Sequence, residues 1–502
     1  MPNTLKKLIL FLAFIEGGAV MCVELCSAKI LSPYFGTSIY VWAAVLGITL
    51  TALMSGYYLG GYISSKNKNK SIIFWLMLVG GCLVTLTPLI SRFILPITIS
   101  LDILSGTIIS LLFFLFFPLL LFGAVSPLII NLLTQQADES GKSSGTVYAV
   151  STLGGIITTF LVGFYTLPQF GITNTLYIYG LLVITLSIIL FIITKTFKAN
   201  TLILVAIAIS SYHFKNRDQE IIYQSEGILG ELKVVDRTLF NNETKTPKAY
   251  RELMINNISQ TIMDKSDPEI SYWDYAGVLT DNINAYAKGK KTLLLGLGGG
   301  TLYKQLKKNK LNVDVVEIDQ RIEMVAKRFF QIDQKANVVI DDARHYINTT
   351  QKKYDIIIYD LYHSETPPIH LMTKEAFREI KSKLNDNGIL IINFYGFIKG
   401  SKGKAARSIY KTLLAEQYNI NLIATKGEEA HRNLLFISGK DKLISTHEVS
   451  GKRLYLRELN LDDAIVLNDN QPILEHIYLE AALSWRKDYN EVNAKYFLNK
   501  RE

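Results

Sequence analysis

TLLLGLGGGT at residues 292–301 sets the architecture of the second half of this chain. It begins as a short apolar run, typical of a buried strand, and ends in glycines that let the backbone turn sharply. Gly296, Gly298 and Gly300 leave room for a ligand to approach, and the N–H groups that open the next helix would face it. A glycine turn used only for packing would look the same, so the neighbouring segments must decide.

Strand and helix patterns alternate around this turn, which is typical of a parallel α/β sheet. Further strands are predicted at VDVVEID (313–319), NVVIDDA (337–343), YDIIIYD (354–360) and GILIINFY (388–395). Helices are predicted at about 271–288, 301–308, 373–384 and 402–417. Before them, after a linker at 215–220, short strands broken by Gly, Asn and Asp predict a small antiparallel β subdomain over 221–270.

Carboxylates follow the ends of the predicted strands, the edge where ligands bind in open α/β sheets. Glu317 lies 21 residues after Gly296, where a carboxylate can accept both ribose hydroxyls. Asp341 and Asp342 end the third strand, where an adenine amino group could be bound. These groups together indicate an adenosine ligand. Thr301 occupies the position of the last glycine in a G-x-G-x-x-G dinucleotide motif, and the acidic pair after the third strand suits a single adenosine better; together they favour S-adenosylmethionine over NAD.

The composition divides the chain into a membrane part and a soluble part. Of 502 residues, 49% are apolar and only 19% charged, and the mean hydropathy is +0.22. The net charge of +9 splits into +5 over 1–214 and +4 over 215–502, so no nucleic-acid surface is expected. Cysteines occur only at Cys22, Cys26 and Cys82, which excludes a disulfide framework or a cysteine zinc site in the soluble part. No metal is expected.

Residues 1–214 are predicted to form a multi-span transmembrane domain. Six apolar runs reach the roughly 20 residues that a span needs: 8–31, 39–63, 72–95, 103–133, 144–166 and 172–194. Lysines flank alternate ends of these runs, which predicts a cytoplasmic N-terminus in the cell (inner) membrane. Glu16 and Glu24 share one helix face at membrane depth, where an ionisable group either marks a function or serves an internal polar network.

A seventh, short run at 201–214 leaves the topology open. Six spans would put the soluble domain in the cytoplasm, whereas seven would put it outside. We expect the cytoplasmic side, because the run is short and S-adenosylmethionine is made in the cytosol.

These segments together resemble membrane-embedded spermidine synthase-like proteins, which are polyamine aminopropyltransferase relatives fused to an N-terminal multi-span membrane domain. In the membrane half the resemblance rests on VELCSAKILSPYFGTS, GAVSPLII and GTVYAVSTLGGIITTFLVGFYTLPQFG. In the soluble half it rests on GLGGGT, VVEID, DDAR, YDIIIYDLY and PPIHLMTKEAF. It implies an N-terminal α-helical membrane bundle and a Rossmann-like α/β methyltransferase/spermidine synthase fold, with the catalytic domain over 271–502.

The resemblance also implies a chemistry. Members of this family bind decarboxylated S-adenosylmethionine, an amine attacks the carbon beside the sulfonium, and methylthioadenosine leaves. A cationic ammonium is not a nucleophile, so the site needs a base. The residues that match the family's site are the catalytic pair Asp360 and Tyr272, then Gln260, the ribose carboxylate Glu317, and Asp341 or Asp342 on the adenine side.

The chain departs from the family where the donor tail and the acceptor are recognised. Gly299 replaces an Asp that holds the amine end of the decarboxylated donor, and His363 replaces the second Asp, which binds the diamine. Trp273 and Asp274 replace a His and a Glu, and Tyr362 belongs to the same acceptor or donor-tail group. We therefore expect the adenosine site to be kept and the family's usual putrescine site to be lost.

Three functions remain open at this point. The first is alkyl transfer from S-adenosylmethionine or its decarboxylated form, with a non-classical or intramolecular acceptor. The second is a methyltransferase, which would release S-adenosylhomocysteine. The third is a transporter or sensor that binds a nucleoside or a polyamine without turnover. The expected partners are the lipid bilayer, a small-molecule amine or membrane-borne substrate, and a second copy in a homodimer.

Overall fold

The computed structural model of the chain contains two compact units, an N-terminal helical unit and a C-terminal α/β unit. The residues that the structure describes are 3–36, 38–66, 69–134, 140–197, 199, 201–211, 220–227, 229–240, 247–269, 271–362, 367–454, 459–471 and 473–498. His363, which the sequence analysis assigns to acceptor recognition, lies outside the described residues.

The helical unit consists of long apolar helices joined by short connections. These are α1 (Asn3–Phe35), α2 (Ile39–Lys66), α3 (Ser71–Thr98), α4 (Ile103–Leu111), α5 (Phe117–Leu133), α6 (Ser140–Leu161), α7 (Leu167–Ile193) and α8 (Thr201–Ser210). A π-helical turn, Leu112–Phe116, joins α4 to α5, and another, Val162–Thr166, joins α6 to α7.

Five helical stretches among the described residues are long and apolar enough to cross a membrane. The fifth, Ser140–Ile193, has 54 residues, and a straight helix of that length would measure about 80 Å against a hydrocarbon core of about 30 Å. It is broken at Gly171, whose φ of 76° and ψ of 175° are not helical. We call the resulting pieces segments 1 to 6: α1, α2, α3, Ile103–Leu133, 140–170 and 172–193.

The predicted number of six or seven spans remains a prediction. The seventh run is represented by α8, which has ten residues and is therefore about 15 Å long, half the depth of a hydrocarbon core. Residues 212–214 of that run lie outside the described residues. The two predicted acidic residues of segment 1 are both buried, Glu16 being 3% and Glu24 8% exposed.

The small β subdomain is a four-stranded sheet in the order β1-β2-β3-β4, as the sequence predicts. Its strands are β1 (Ile221–Gly227), β2 (Gly230–Phe240), β3 (Pro247–Ile255) and β4 (Ile258–Asp264). β3 pairs with both β2 and β4 in antiparallel fashion. Asn256 and Asn257 connect β3 to β4 with φ values of 49° and 61°, the left-handed conformation that a two-residue hairpin turn requires.

The rest of the unit alternates helices and strands around an eight-stranded sheet. The helices are α9 (Tyr275–Tyr286), α10 (Thr301–Lys308), α11 (Gln320–Phe329), α12 (Ala343–Thr349), α13 (Lys374–Lys383), α14 (Lys404–Ala415) and α15 (Leu474–Leu498). The strands are β5 (Lys291–Leu295), β6 (Asn312–Glu317), β7 (Val338–Ile340), β8 (Tyr354–Tyr359), β9 (Leu384–Tyr395), β10 (Asn419–Ala424), β11 (Asn433–Gly439) and β12 (Lys452–Leu454). They lie in the order β12-β10-β11-β9-β8-β5-β6-β7.

Both faces of this sheet are covered, which explains why its central strands are apolar throughout. Along β8, Ile356 and Ile358 belong to the core on one face, and Ile357 and Tyr359 to the core on the other. The five predicted strands are all present, and β5 to β9 pair in parallel. Three strands that were not predicted from the sequence, β10, β11 and β12, extend the sheet with antiparallel pairings.

The strand order creates a crevice at the centre of the sheet. From β5 the chain winds outward through β6 to β7, and it then returns to place β8 and β9 on the other side of β5. The connections that leave β5 and β8 therefore run in opposite directions. At such a switch point the carboxyl ends of the two strands open a ligand crevice in α/β folds, and this is where the predicted glycine turn and Asp360 lie.

Candidate active site

The glycine turn lies directly against the end of β8. Gly296, Gly298 and Gly300 all have positive φ values, of 91°, 53° and 75°. A Cβ atom on Gly296 would clash with the carbonyl oxygen of Asp360. The turn can take this path only with glycine, since any other residue would suffer both the strain of the left-handed backbone and the lack of space.

Thr261 of β4 packs directly against Gly299. The Gly299 N–H donates to the Thr261 hydroxyl at 2.8 Å. A Cβ on Gly299 would lie 2.7 Å from Thr261 Cγ2 and 2.9 Å from Phe330 Cδ1, closer than real Cβ contacts. An Asp at this position would therefore require its neighbours to move. Thr261, which sequence reasoning missed, fills the space that a donor-tail carboxylate would need.

Glu317 ends β6 and holds the glycine turn. One of its carboxylate oxygens accepts the Leu297 N–H at 2.9 Å, and the other accepts the Asp319 N–H at 3.0 Å. Burial raises the pKa of Glu317, while these backbone hydrogen bonds act to lower it. Each carboxylate oxygen can accept more than one hydrogen bond, so the group keeps acceptor capacity for a ligand hydroxyl.

Asp341 and Asp342 lie at the same edge, because the Asp341 N–H continues the ladder to the Glu317 carbonyl oxygen at 3.1 Å. The Asp341 carboxylate lies 2.8 Å from His345 Nδ1. Asp342 caps α12, accepting N–H groups of its first turn, and lies 3.1 Å from His370 Nε2. Burial acts to raise the pKa of Asp342, but hydrogen bonds from the His345 N–H and from His370 bring it below its ordinary value.

Asp360 directly follows β8 and is fixed by two donors. The Tyr275 hydroxyl donates to Oδ2 at 2.9 Å, and the Asn393 amide donates to Oδ1 at 2.8 Å. Burial raises the pKa of Asp360 above its usual range, and both hydrogen bonds act to lower it. The result is a partly buried carboxylate with a fixed orientation and a raised proton affinity, which is the character of a general base.

The tyrosine beside Asp360 is Tyr275, in the place that the sequence analysis gave to Tyr272. Tyr272 is 50% exposed, and its ring meets the rings of Tyr250 and Trp273 edge to face, each at 5.6 Å between centroids. Among the described residues no hydrogen bond joins Tyr272 to Asp360. The difference has a physical origin, since α9 begins at Tyr275 and packs on the sheet, whereas Tyr272 precedes the helix.

Asn393 is a second residue that sequence reasoning missed. It lies near the end of β9, and its backbone carbonyl oxygen is 3.4 Å from the Tyr362 hydroxyl. That hydroxyl also accepts the Tyr395 N–H. Asn393 therefore meets Asp360 through its side chain and Tyr362 through its backbone. The only signal in the sequence was a polar residue within the otherwise apolar strand GILIINFY.

The remaining predicted residues are Gln260, which lies in β4, and Trp273 and Asp274, which directly precede α9. Gln260 is within β4, and its amide is 3.4 Å from the Ile258 carbonyl oxygen. The Trp273 N–H donates to the Ser271 hydroxyl. Asp274 is exposed and precedes α9 without capping it by a side-chain hydrogen bond. No group of three or more His, Cys, Asp or Glu side chains with metal-binding geometry occurs within the described residues.

The chain is similar to known proteins over the region that contains this site. A family model described as the spermine/spermidine synthase domain matches residues 280–394. The probable polyamine aminopropyl transferase of Bifidobacterium longum is 27% identical over 251 residues, 48% of this chain and 52% of that protein. The polyamine aminopropyltransferase of Vibrio vulnificus is 30% identical over 179 residues, 34% of this chain and 59% of that protein.

A solved structure is also similar to the chain. The crystal structure of a probable spermidine synthase from Corynebacterium glutamicum has a TM-score of 0.39 and 16% identity, and the match covers 50% of this chain and 95% of that one. The chain spans between half and three fifths of the length of the two curated relatives.

Proposed function

Over its C-terminal part this chain is a spermidine synthase-like protein, and we propose that it is accordingly an alkyl-transfer enzyme. Its donor is S-adenosylmethionine or decarboxylated S-adenosylmethionine, and the nucleoside product is methylthioadenosine. The observation that carries the proposal is the contact between the glycine turn and Asp360. It puts an adenosine-binding turn and a candidate base side by side at the switch point of the sheet.

In the proposed reaction the lone pair of an amine nitrogen attacks the carbon beside the donor sulfonium. A C–N bond forms, the C–S bond breaks, and its electron pair neutralises the sulfur as methylthioadenosine leaves. The amine proton passes to Asp360, whose raised pKa suits it to take a proton. Tyr275 and Asn393 position the carboxylate, and Gly296, Gly298, Gly300, Glu317 and Asp341-Asp342 hold the adenosine.

The acceptor in this proposal is not the family's usual diamine. Two observations support this: His363 stands where the family has a diamine-binding Asp, and Thr261 fills the space beside Gly299. A histidine cannot be an anion, so it gives no carboxylate to a cationic nitrogen. The absence of an Asp at Gly299 also removes a group that would repel the carboxylate of intact S-adenosylmethionine. Candidate acceptors are another amine, a membrane-borne substrate, or the donor's own amino group.

The product of the reaction tests the proposal. Purified full-length protein would be incubated with each donor, with and without putrescine, and the nucleoside would be identified by mass spectrometry. We expect methylthioadenosine, and little or no spermidine from putrescine. S-adenosylhomocysteine would indicate a methyltransferase instead. Binding without any nucleoside product would overturn the enzyme assignment, and rapid spermidine formation would overturn only the unusual acceptor.

Tyr275→Phe should reduce kcat more than Tyr272→Phe does. The first change removes a hydrogen bond to the carboxylate worth about 1.5–3 kcal/mol, a loss of about tenfold to a hundredfold in rate. Because that bond favours ionised Asp360, its removal should raise the pKa further and move the acid limb of the pH–kcat profile to higher pH. Tyr272→Phe should leave the limb in place. If only Tyr272→Phe moved the acid limb of the pH–kcat profile, Tyr272 rather than Tyr275 would be the tyrosine that positions Asp360.

We also propose that the chain is a multi-pass protein of the cell membrane with its α/β unit in the cytoplasm. The lysines that flank alternate ends of the apolar runs support this. The contacts that follow α8 favour a seventh span instead. The Ser211 hydroxyl lies 2.8 Å from the Tyr177 hydroxyl. The Glu226 carboxylate accepts the Ile172 and Thr173 N–H groups, at the end of segment 6 opposite Ile193. A cytoplasm-dependent reporter fused after residue 220 should be active, as should one fused after residue 70, whereas one fused after residue 101 should be silent. Activity after residue 220 from a periplasm-dependent reporter would instead make 201–214 a true span.

A further inference from the structure

The helical unit repeats one packing contact at two places. Where segments 1 and 5 cross, a Cβ on Gly17 would clash with the Ser151 carbonyl oxygen, and one on Gly154 with that of Phe14. Segments 4 and 2 cross in the same way. A Cβ on Gly123 would lie 3.0 Å from the Leu53 carbonyl oxygen, and one on Gly56 would clash with that of Leu120.

These two crossings match residue by residue. Phe14 and Gly17 of segment 1 correspond to Leu120 and Gly123 of segment 4. Ser151 and Gly154 of segment 5 correspond to Leu53 and Gly56 of segment 2.

The next contact along each pair continues the register. A Cβ on Gly18 would lie 2.5 Å from the Thr158 hydroxyl, and at the corresponding place a Cβ on Gly60 would clash with the Ala124 carbonyl oxygen. Segment 1 therefore packs on segment 5 as segment 4 packs on segment 2, with the same residue spacing in both.

Segments 3 and 6 pack on each other reciprocally. A Cβ on Gly81 would lie 3.1 Å from the Gly180 carbonyl oxygen, and one on Gly180 would lie 3.0 Å from that of Gly81. Ile184 is another neighbour of Gly81 at 3.1 Å, and Thr85 holds the equivalent place beside Gly180 at 2.5 Å. A contact that maps onto itself when two helices are exchanged lies on a two-fold axis.

One two-fold operation accounts for all these contacts. It exchanges segments 1, 2 and 3 with segments 4, 5 and 6. Successive segments are joined by short connections and so alternate in direction, and segments 1 and 4 therefore run oppositely. The unit is thus an inverted repeat of two three-helix halves. Inverted repeats are typical of secondary transporters, whose binding sites lie between the halves near the membrane midplane.

Glu16 lies at this interface, near the middle of segment 1. It is 3% exposed, and its Oε2 accepts the Ser151 hydroxyl at 3.0 Å and the Ser126 hydroxyl at 3.5 Å. Among the described residues no Lys, Arg or His lies within ion-pair distance of it. The position that corresponds to Glu16 in segment 4 is Phe122, so the carboxylate belongs to one half only. A carboxylate buried at membrane depth without a cationic side chain is suited to receive its positive charge from a ligand.

The surroundings of Glu16 favour an organic cation. One carboxylate and two hydroxyls offer the acceptors that the three N–H groups of a primary ammonium need. Tyr148 lies one helical turn before Ser151 on segment 5, and its ring meets that of Tyr57 of segment 2 edge to face at 6.4 Å between centroids. Aromatic rings beside a carboxylate are common in sites for ammonium ligands.

We propose that the helical unit is a carrier for a cationic amine, built as an inverted repeat, and that Glu16 binds the ammonium group together with Ser126 and Ser151. This function is separate from the proposed alkyl transfer and does not depend on it. Rocking of the two halves about the Gly81–Gly180 contact would expose the site to each side of the membrane in turn.

Uptake by the full chain in liposomes tests the proposal, with no donor nucleoside present, so that alkyl transfer plays no part. Liposomes loaded with unlabelled putrescine would be diluted into radiolabelled putrescine, spermidine or leucine. We expect exchange of the amines but not of leucine. Glu16→Gln should lower amine exchange at least tenfold and Ser151→Ala by less, while Glu24→Gln, the same change two turns along the helix, should leave exchange near wild type.

Several results would overturn the proposal. Wild-type exchange no greater than that of empty liposomes would rule out the carrier. Unchanged exchange in Glu16→Gln, or equal losses in Glu16→Gln and Glu24→Gln, would remove Glu16 from the site. Proton movement recorded by an internal pH dye, without amine exchange, would show that Glu16 carries protons only. If Glu16→Gln elutes as an aggregate in size-exclusion chromatography, amine exchange by Ser151→Ala becomes the test of the site. Exchange at the wild-type rate in Ser151→Ala would then contradict the proposed binding site.

Discussion

Asp360→Asn is expected to lower methylthioadenosine release by about 10²–10⁴, the usual contribution of a general base. The asparagine keeps the size of the side chain and can still accept one of the two hydrogen bonds from Tyr275 and Asn393. It cannot take the proton of the attacking amine. Affinity for methylthioadenosine, measured by calorimetry, should stay nearly unchanged, because the adenosine-binding groups lie on β5, β6 and β7.

Asp355→Asn is the matched control for this change. Asp355 lies at the other end of β8, where it accepts the Lys291 N–H and the Asn385 amide. The Asp355→Asn variant should retain most of the wild-type turnover. Full turnover by Asp360→Asn would show that the Asp360 carboxylate only orders its loop, and would favour binding without catalysis.

Gly296→Ala is expected to lower turnover by at least about 10²-fold and to destabilise the α/β unit by about 1–3 kcal/mol. The added methyl group would meet the Asp360 carbonyl oxygen, in a backbone conformation with a φ of 91°. Left-handed strain costs about 1–3 kcal/mol outside glycine. Moving the Asp360 backbone by about 1 Å would also misplace the carboxylate, which can cost about 10²-fold in rate.

Turnover and the midpoint of thermal unfolding of the full chain check this prediction. Gly277→Ala is the control, since Gly277 lies in α9 with nothing within 4 Å of an added Cβ, and Ala favours a helix over Gly. Its midpoint should not fall. Wild-type turnover in Gly296→Ala would mean that the contact between the glycine turn and β8 plays no part in the reaction.

Local patterns in the sequence were enough to predict the alternation of strands and helices, the glycine turn, and the carboxylates at the strand ends. These features can be read from the chain because they depend on apolar runs, backbone freedom at glycine, and polar residues where a strand stops. Glu317, Asp341, Asp342 and Asp360 could be assigned to one edge from their positions in the sequence, since parallel strands bring their carboxyl ends together. α10 (Thr301–Lys308) begins and ends where it was predicted, whereas the helix predicted over 271–288 begins four residues later, at Tyr275, and so leaves Tyr272 outside it.

The side chains that complete the site, in contrast, were set by tertiary packing. Tyr275 rather than Tyr272 reaches Asp360, because the packing of α9 on the sheet sets which tyrosine faces inward. Asn393 reaches it only because β9 pairs beside β8, and Thr261 reaches Gly299 only because β4 packs beside the glycine turn. Such contacts join residues far apart in the chain. They depend on strand order and helix packing, which spacing along the sequence does not encode.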